Sequence, residues 1–317
     1  MSEFDLINRY FKALPQQRDD VVLGIGDDCA ILQVTEGKQL VVSTDTLVAG
    51  VHFPENTLAY DIGYKSLAVN LSDLAAMGAE PAWVTLCLTL PEENNDWLAQ
   101  FVKGFSELLI KYNMQLVGGD TTRGPLSISV HVSGFVDQGK AFRRDAANPG
   151  DLIYVTGSIG DAGLGLKKRL HYITADSLTL CVNKLNRPQP RNDVALALVD
   201  SCVCAIDISD GLLADLGHIC KQSECGADIF MDKIPLSNEL TSFYGDRVDV
   251  NQVLTSGDDY ELCFTVNEQY KSRIDEISRK LDIPISCIGK ITSGDRVNCF
   301  DTNNNIIEIN KTGFQHF

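Results

Sequence analysis

Short apolar runs that end on or just before an aspartate recur along this chain, and no other feature constrains its fold as strongly. Two lie between Leu23 and Asp45. Leu23-Gly24-Ile25-Gly26-Asp27-Asp28 sets adjacent carboxylates after a Gly-x-Gly turn, and Leu40-Val41-Val42-Ser43-Thr44-Asp45 ends an apolar stretch on an acid flanked by hydroxyls. Adjacent carboxylates repel, and a solvated turn tolerates them cheaply. Carboxylate and hydroxyl oxygens at a strand end are also how proteins hold Mg²⁺, a hard cation that keeps its waters and shares them with phosphates. The local sequence leaves both readings open. The device returns at Gly118-Gly119-Asp120, at Asp207-Ile208-Ser209-Asp210-Gly211 and at Gly257-Asp258-Asp259-Tyr260-Glu261, and that recurrence favours the cation.

Between these acids, helical and strand patterns mix. A helix is expected over 2–14: Ser2 with Asp5 resembles a capping box, and Phe4, Ile7, Phe11 and Leu14 recur at helical spacing before Pro15. Strands are expected at 30–32 and 40–43, and then a helix over 60–77 with Gly78 as its C-cap. A strand over 82–90 stops at Pro91, and a helix over 95–112 carries Trp97, Phe101, Phe105 and Leu108 on one side. A strand over 114–117 opens into a turn at 118–122. Residues 127–136 alternate, with Ile128, Val130 and Val132 on one face, as a half-buried strand does.

The character changes at 137–150, a polar stretch that closes on Asn148-Pro149-Gly150. At 317 residues the chain is too long for most single cores, so two domains are expected, 1–138 and 149–317. The second half begins with a strand over 152–156 and a Gly-rich turn over 157–163. Helices follow at 161–170, 191–200, 211–224 and 268–281, and strands at 203–208, 227–231, 260–266 and 285–291. Strands mixed with long helices in both halves give an α/β (α+β) class.

The formal net charge of −16 removes the basic footprint of a nucleic-acid binder. A phosphate-bearing substrate would meet a negative field here, and divalent cations are the means of offsetting it. None of the ten cysteines forms a Cys-x-x-Cys pair, and most lie inside apolar runs such as Leu86-Cys87-Leu88. They read as reduced core residues of a cytoplasmic protein. Neither a signal peptide nor a membrane-spanning apolar run is expected from the sequence.

Asp73, in Asn70-Leu71-Ser72-Asp73-Leu74, falls near the C-terminal end of its expected helix, where an acid opposes the helix dipole. A cation would explain it; so would a surface salt bridge. Asp120 belongs either to a tight turn or to a metal site where backbone approaches phosphates. Ser209 and Asp210 are good N-caps for the next helix, whereas Asp207 ends the run Val203-Cys204-Ala205-Ile206 and capping does not need it. The P-loop pattern, the dinucleotide fingerprint and the Gly-x-Ser-x-Gly elbow are all missing from the sequence. Many aspartates at strand ends without a nucleophile suit a reaction that needs only positioning and charge neutralisation, which is phosphoryl transfer.

Taken in order, Gly24-Ile25-Gly26-Asp27-Asp28, Ser43-Thr44-Asp45, His52, 70–78, Gly118-Gly119-Asp120-Thr121, Asp207-Ile208-Ser209-Asp210-Gly211 and Gly257-Asp258-Asp259-Tyr260-Glu261-Leu262 resemble the bacterial thiamine-monophosphate kinases. That family belongs to the aminoimidazole-ribonucleotide-synthetase-like superfamily. The resemblance implies a two-domain fold whose N-terminal strands form a barrel across a homodimer, and ATP bound without a P-loop through several Mg²⁺ ions. It assigns Asp28, Ser43, Thr44, Asp45, Asp73, Asp120, Asp207 and Asp210 to Mg²⁺. It assigns Tyr112, Gly119, Asp120, Arg144 and Ser209 to ATP, and His52, Asp258 and Phe314 to thiamine monophosphate. Arg144, Lys65 and Arg123 would help relieve the repulsion between the two anionic substrates. Asp258 stands where the family usually has Glu, and Phe314 where Trp or Tyr is common; Phe317 would anchor the tail. Two alternatives are a related ATP-dependent enzyme such as a selenophosphate synthetase and a non-catalytic nucleotide-binding maturation scaffold. Cys29 inside the acidic motif disfavours the first, and the full set of aspartates with His52 disfavours the second.

Overall fold

Two sheets carry the candidate residues. The computed structural model describes residues 7–12, 14, 17–175, 177–245, 247–309 and 313–314. Chain contacts divide it into one unit of Met1–Leu74 with Ala79–Gly139 and another of Ala75–Gly78 with Lys140–Phe317.

In the first unit, β1 (Val21–Leu23) and β2 (Ile31–Leu32) pair as a small antiparallel ribbon around the acidic turn. Then come β3 (Lys38–Val48), α1 (Ala59–Ala76), β4 (Glu80–Leu90), α2 (Asn95–Lys111), β5 (Gln115–Arg123) and β6 (Ser127–Asp137). The sheet order is β3-β6-β4-β5, with β4 and β5 parallel and the other pairs antiparallel. α2 lies between β4 and β5 in the chain, the crossover that a parallel pair requires. Alternate residues Val84, Leu86 and Leu88 of β4 and Ile128, Val130 and Val132 of β6 are buried. So are Leu67, Leu71 and Leu74 of α1 and Leu98, Phe101 and Phe105 of α2, each such side chain contributing about 1.5–3 kcal/mol. α1 and α2 meet backbone to backbone. A Cβ on Gly63 would lie 2.0 Å from the Phe101 carbonyl oxygen, and one on Gly104 would lie 2.0 Å from that of Tyr60.

The second unit has β7 (Leu152–Thr156), α3 (Asp161–Arg169), α4 (Thr179–Asn186), α5 (Asn192–Leu198), β8 (Cys204–Asp207), α6 (Leu212–Gln222) and β9 (Gly226–Phe230). α7 (Asn238–Tyr244), α8 (Val250–Thr255), β10 (Leu262–Val266), α9 (Lys271–Leu281), β11 (Ile285–Thr292) and β12 (Val297–Phe300) complete it. The strand order is β12-β9-β11-β7-β10-β8, antiparallel except for β12 on β9. Both faces are covered. Ile153, Val155, Ile206 and Cys263 join one buried cluster with Leu212, Leu216 and Ile219 of α6. Their strand neighbours Tyr154, Ala205 and Phe264 join another with Val194 and Leu198 of α5 and Ile274 and Ile277 of α9.

Several expectations need correction. β3 runs to Val48, so Asp45 sits within a strand and does not end one. β5 runs through Gly118, Gly119 and Asp120 to Arg123, where a turn was expected; pairing with β4 continues past the glycines. Helices α4, α7 and α8 and strands β1 and β12 were not expected from the sequence. They have three to eight residues, too few to show a clear period. Cys87 is exposed, because it faces away from the side on which Leu86 and Leu88 are buried. Seven other cysteines are buried. Gly78 takes the left-handed conformation expected after α1, with φ of 66°. Of the expected N-terminal helix, a helical turn at Ile7–Phe11 is described; Ser2, Phe4, Asp5 and the tail residue Phe317 lie outside the described residues. Among the described residues, no helix is long and apolar enough to cross a membrane.

Candidate active site

In β3 successive side chains point to opposite faces, and burial shows which is which. Ser43, Asp45 and Leu47 are half-buried or buried, whereas Leu40, Val42, Thr44 and Thr46 are exposed. Ser43 and Asp45 therefore share a face, and Thr44 does not. The Thr44 hydroxyl instead meets His131 Nδ1 at 2.7 Å across the β3–β6 pair. On α1, Ser66, Asn70 and Asp73 follow at helical spacing and fall on one side. Asn70, fully buried, accepts the Asp45 N–H at 3.1 Å and donates to the Ser66 carbonyl at 3.0 Å. Three residues on, Asp73 Oδ2 accepts the Ser43 hydroxyl. Burial, and then the charge of Asp73, push the Asp45 carboxyl up to about 6. Two carboxylates and a hydroxyl thus converge in a half-buried place.

The acidic turn lies elsewhere on this unit. Asp27 and Asp28 are exposed, and the Asp27 carboxylate accepts the Asp28 N–H at 2.9 Å. With Gly26, Gly119 and Asp120 they line a cavity of about 650 Å³, within the range of small-molecule sites. Gly119 is there because nothing else fits: its φ is 149°, and a Cβ would lie 1.9 Å from the Leu86 carbonyl oxygen. Tyr112 closes α2 beneath the Lys111 ammonium, 4.7 Å from its ring centre. His52 Nδ1 accepts the Val48 N–H at 3.0 Å, and the His52 carbonyl accepts Lys65 Nζ at 3.3 Å. Arg123 Nε donates to the Pro91 carbonyl at 3.3 Å. Lys65 and Arg123 are thus fastened to main chain.

In the second unit, Asp207 is buried at the end of β8, and Ser209 and Asp210 are half-buried just beyond it. Neither of the latter caps α6. The cap position is Gly211, and no side chain of the cap residue bonds there. Asp215, inside the first turn, reaches back: its Oδ2 accepts the N–H groups of Ser209 at 3.0 Å, Asp210 at 3.1 Å and Gly211 at 3.2 Å. Burial pushes Asp215 up to about 7 against the pull of those bonds. Asp258 is half-buried with φ of 69°, and its N–H is accepted by the Ser209 carbonyl at 2.9 Å. The Phe314 N–H is accepted by the Asp210 carbonyl at 3.1 Å, while its ring is about half exposed. Arg144 is exposed, and its carbonyl accepts the Ser223 hydroxyl at 2.7 Å.

The other two acids of the 257–261 cluster are framework. Asp259 accepts the N–H groups of Gly160 at 2.7 Å and Ala162 at 3.2 Å, at the start of α3, while burial pushes it up to about 8. Glu261 takes a two-point bond from Arg191 at 2.6 and 2.7 Å, with Lys184 at 3.3 Å and the Thr156 hydroxyl at 2.7 Å. Burial would raise it, but these cations outweigh burial and hold it low. Sequence reading missed Asp215, Asn70 and the Arg191–Lys184 pair. An acid four residues after the cap glycine was the only local signal for Asp215; the others have none.

Models of the AIR synthase related proteins match residues 26–136 with their N-terminal domain and 148–302 with their C-terminal domain. Thiamine-monophosphate kinase of Escherichia coli (strain K12) is 46% identical over 99% of this chain and 98% of its own. The crystal structure of thiamine-monophosphate kinase from Stenotrophomonas maltophilia K279a is 46% identical, with a TM-score of 0.87 over 94% of this chain and 96% of that one. A structure described as AaThiL complexed with AMPPCP and TMP is 30% identical, with a TM-score of 0.78 over 99% and 97% of the two chains. This chain belongs to the thiamine-monophosphate kinase family, on the two-domain architecture of the AIR synthase related proteins.

Proposed function

We propose that this protein transfers the γ-phosphoryl group of ATP directly to thiamine monophosphate, giving thiamine diphosphate and ADP in thiamine diphosphate biosynthesis. The observation that carries the reading is the full-length likeness to thiamine-monophosphate kinases, one relative of which is described with AMPPCP and TMP. The acceptor is a phosphate monoester with a second pKa of about 6, so its oxygen is anionic near neutral pH and no strong general base is needed. The task left to the protein is to bring two anions together.

The residues fit Mg²⁺. Among the described residues, no three of His, Cys, Asp and Glu converge on one ion. Mg²⁺ does not require that: it is held through one or two carboxylates and otherwise by water and phosphate. Asp45, Asp73 and Ser43 offer such an all-oxygen set, and the raised pKa of Asp45 marks charge that a cation would relieve. Bound there, Mg²⁺ would neutralise phosphate charge and order the transferring group. Thr44 would contribute its main-chain carbonyl, since its side chain faces away. Asp28 and Asp120 serve the same purpose in the first-unit cavity, beside Gly119 for the nucleotide; Tyr112, outside the lining of that cavity, is the remaining nucleotide residue of this unit. Asp207 and Asp210 do so in the second unit, where Ser209 and Arg144 serve ATP. His52, Asp258 and Phe314 serve thiamine monophosphate.

We assign nucleotide and Mg²⁺ binding and dimerisation to 1–138, and the remaining site residues mainly to 149–317. The exposed face of β3, with Leu40 and Val42 about half exposed, supports a homodimer in which such strands close a barrel. The reaction belongs in the cytoplasm. Purified protein given ATP, MgCl₂ and thiamine monophosphate should form ADP and thiamine diphosphate one to one. ADP without thiamine diphosphate would exclude the kinase, and sedimentation as a monomer would exclude the dimer.

A further inference from the structure

The geometry points to Asp215 as the positioning residue that shapes the loop at 207–211 and, through it, the two segments that carry Asp258 and Phe314. This inference rests on the proposed function for the roles of those three segments, and on hydrogen bonds alone for Asp215. The Asp215 side chain is buried, yet one of its oxygens takes three consecutive main-chain N–H groups, those of Ser209, Asp210 and Gly211. With those donors turned inward, the loop's carbonyls are left to face other segments. The Ile208 carbonyl takes the Tyr260 N–H at 2.8 Å, the Ser209 carbonyl takes that of Asp258, and the Asp210 carbonyl takes that of Phe314.

Both neighbouring segments approach on a glycine. A Cβ on Gly257 would lie 2.2 Å from the Ser209 carbonyl oxygen, and one on Gly313 would lie 2.6 Å from the Ala214 Cβ and 2.8 Å from the Asp210 carbonyl oxygen. Each glycine immediately precedes a residue assigned to thiamine monophosphate. One internal carboxylate therefore organises Ser209, Asp210, Asp258 and Phe314 at once.

The arrangement also has a chemical consequence. A helix start with free N–H groups is an anion site. Here Asp215 already occupies the donors of Ser209, Asp210 and Gly211. The main chain of the loop therefore offers a phosphate none of these three N–H groups, and its carboxylates meet a phosphate by way of a cation.

Asp215→Asn keeps the size of the side chain and removes its charge. Assayed well below its melting temperature, it should raise both the Mg²⁺ concentration for half-maximal rate and the KM for thiamine monophosphate by about ten-fold or more. A residue that only stabilises the fold would lower the melting temperature and leave both constants within two-fold of wild type, and that result would overturn the inference. Hydrogen exchange on the wild-type protein gives a test without a variant. The amides of Ser209, Asp210 and Gly211 should exchange at least a hundred-fold more slowly than those of an exposed loop such as 34–37. Rapid exchange at all three would overturn the inference as well. Wild-type protein that makes no thiamine diphosphate would sink the proposed function instead, and the exchange measurement would still decide the hold of Asp215 on its loop.

Discussion

The acids of the two units are held in opposite ways. In the first, Asp45 and Asp73 lie near one another; Asp73 takes a hydroxyl, and among the described residues nothing donates to the Asp45 carboxylate. In the second, Asp215 takes three N–H groups, Asp259 takes two, and Glu261 takes Arg191 and Lys184. Burial raises the cost of charge in both places. Where donors were built in, the carboxylate is framework and organises its neighbours. Asp45 and Asp73, which lie near each other without such a set of main-chain donors, are where we place the proposed cation. On that proposal some acids bind and others build, a distinction that counting aspartates cannot make.

The largest effect should come from breaking the first kind. Asp73→Asn should cut turnover by about a thousand-fold, the scale expected when a charge that stabilises the transition state is lost. The circular dichroism should be unchanged, and metal-free protein should melt no lower than wild type, since a repulsion has been removed. Turnover close to wild type would place Asp73 outside the reaction.

Breaking the second kind should cost stability. Glu261→Gln removes the carboxylate that Arg191 bonds at two points and leaves Lys184 with Asp161, a loss on the order of 3 kcal/mol. Chemical denaturation would read it, and added MgCl₂ should not restore it. Restoration by Mg²⁺ would show that Glu261 belongs with the binding acids.

Phe314 offers a smaller effect. Phe314→Ala should raise the KM for thiamine monophosphate by about ten-fold, which corresponds to 1.4 kcal/mol, and leave that for ATP nearly unchanged. A lower melting temperature with both constants intact would make the ring an anchor.

The smallest effect is in the pH dependence of metal-free protein. A carboxyl raised in the folded state favours folding at low pH, and that contribution is lost as pH rises through the folded value. For Asp45 the loss falls between its ordinary value near 4 and about 6; for Asp215 and Asp259 it extends to about 7 and 8. The part of the decline from pH 5 to pH 8 that belongs to Asp45 should be on the order of 1 kcal/mol. Mg²⁺ should recover the part due to Asp45 only. A decline that Mg²⁺ recovers completely, or not at all, would erase the distinction between the two units.

The sequence by itself determined the longer elements, the polar break near 137–150 and the family. Those rest on periodicities of ten or more residues and on motifs written in consecutive positions, such as Gly24-Ile25-Gly26-Asp27-Asp28. It also marked most of the acids worth attention. It could not say that Thr44 faces away from Ser43 and Asp45, because the facing of a strand is set by which side meets a core. It could not extend β5 through Gly118-Gly119-Asp120, because a Gly-Gly-Asp string reads as a turn unless a neighbouring strand supplies its hydrogen bonds. Nor could it sort Asp258, Asp259 and Glu261, three acids within four residues, into one proposed site residue and two framework residues. That sorting depends on Gly160, Ala162, Lys184 and Arg191, which lie about 70 to 100 residues away in the chain. Only the folded chain brings those donors to the acids, and the reach of an electrostatic interaction is measured in ångströms, not in residues.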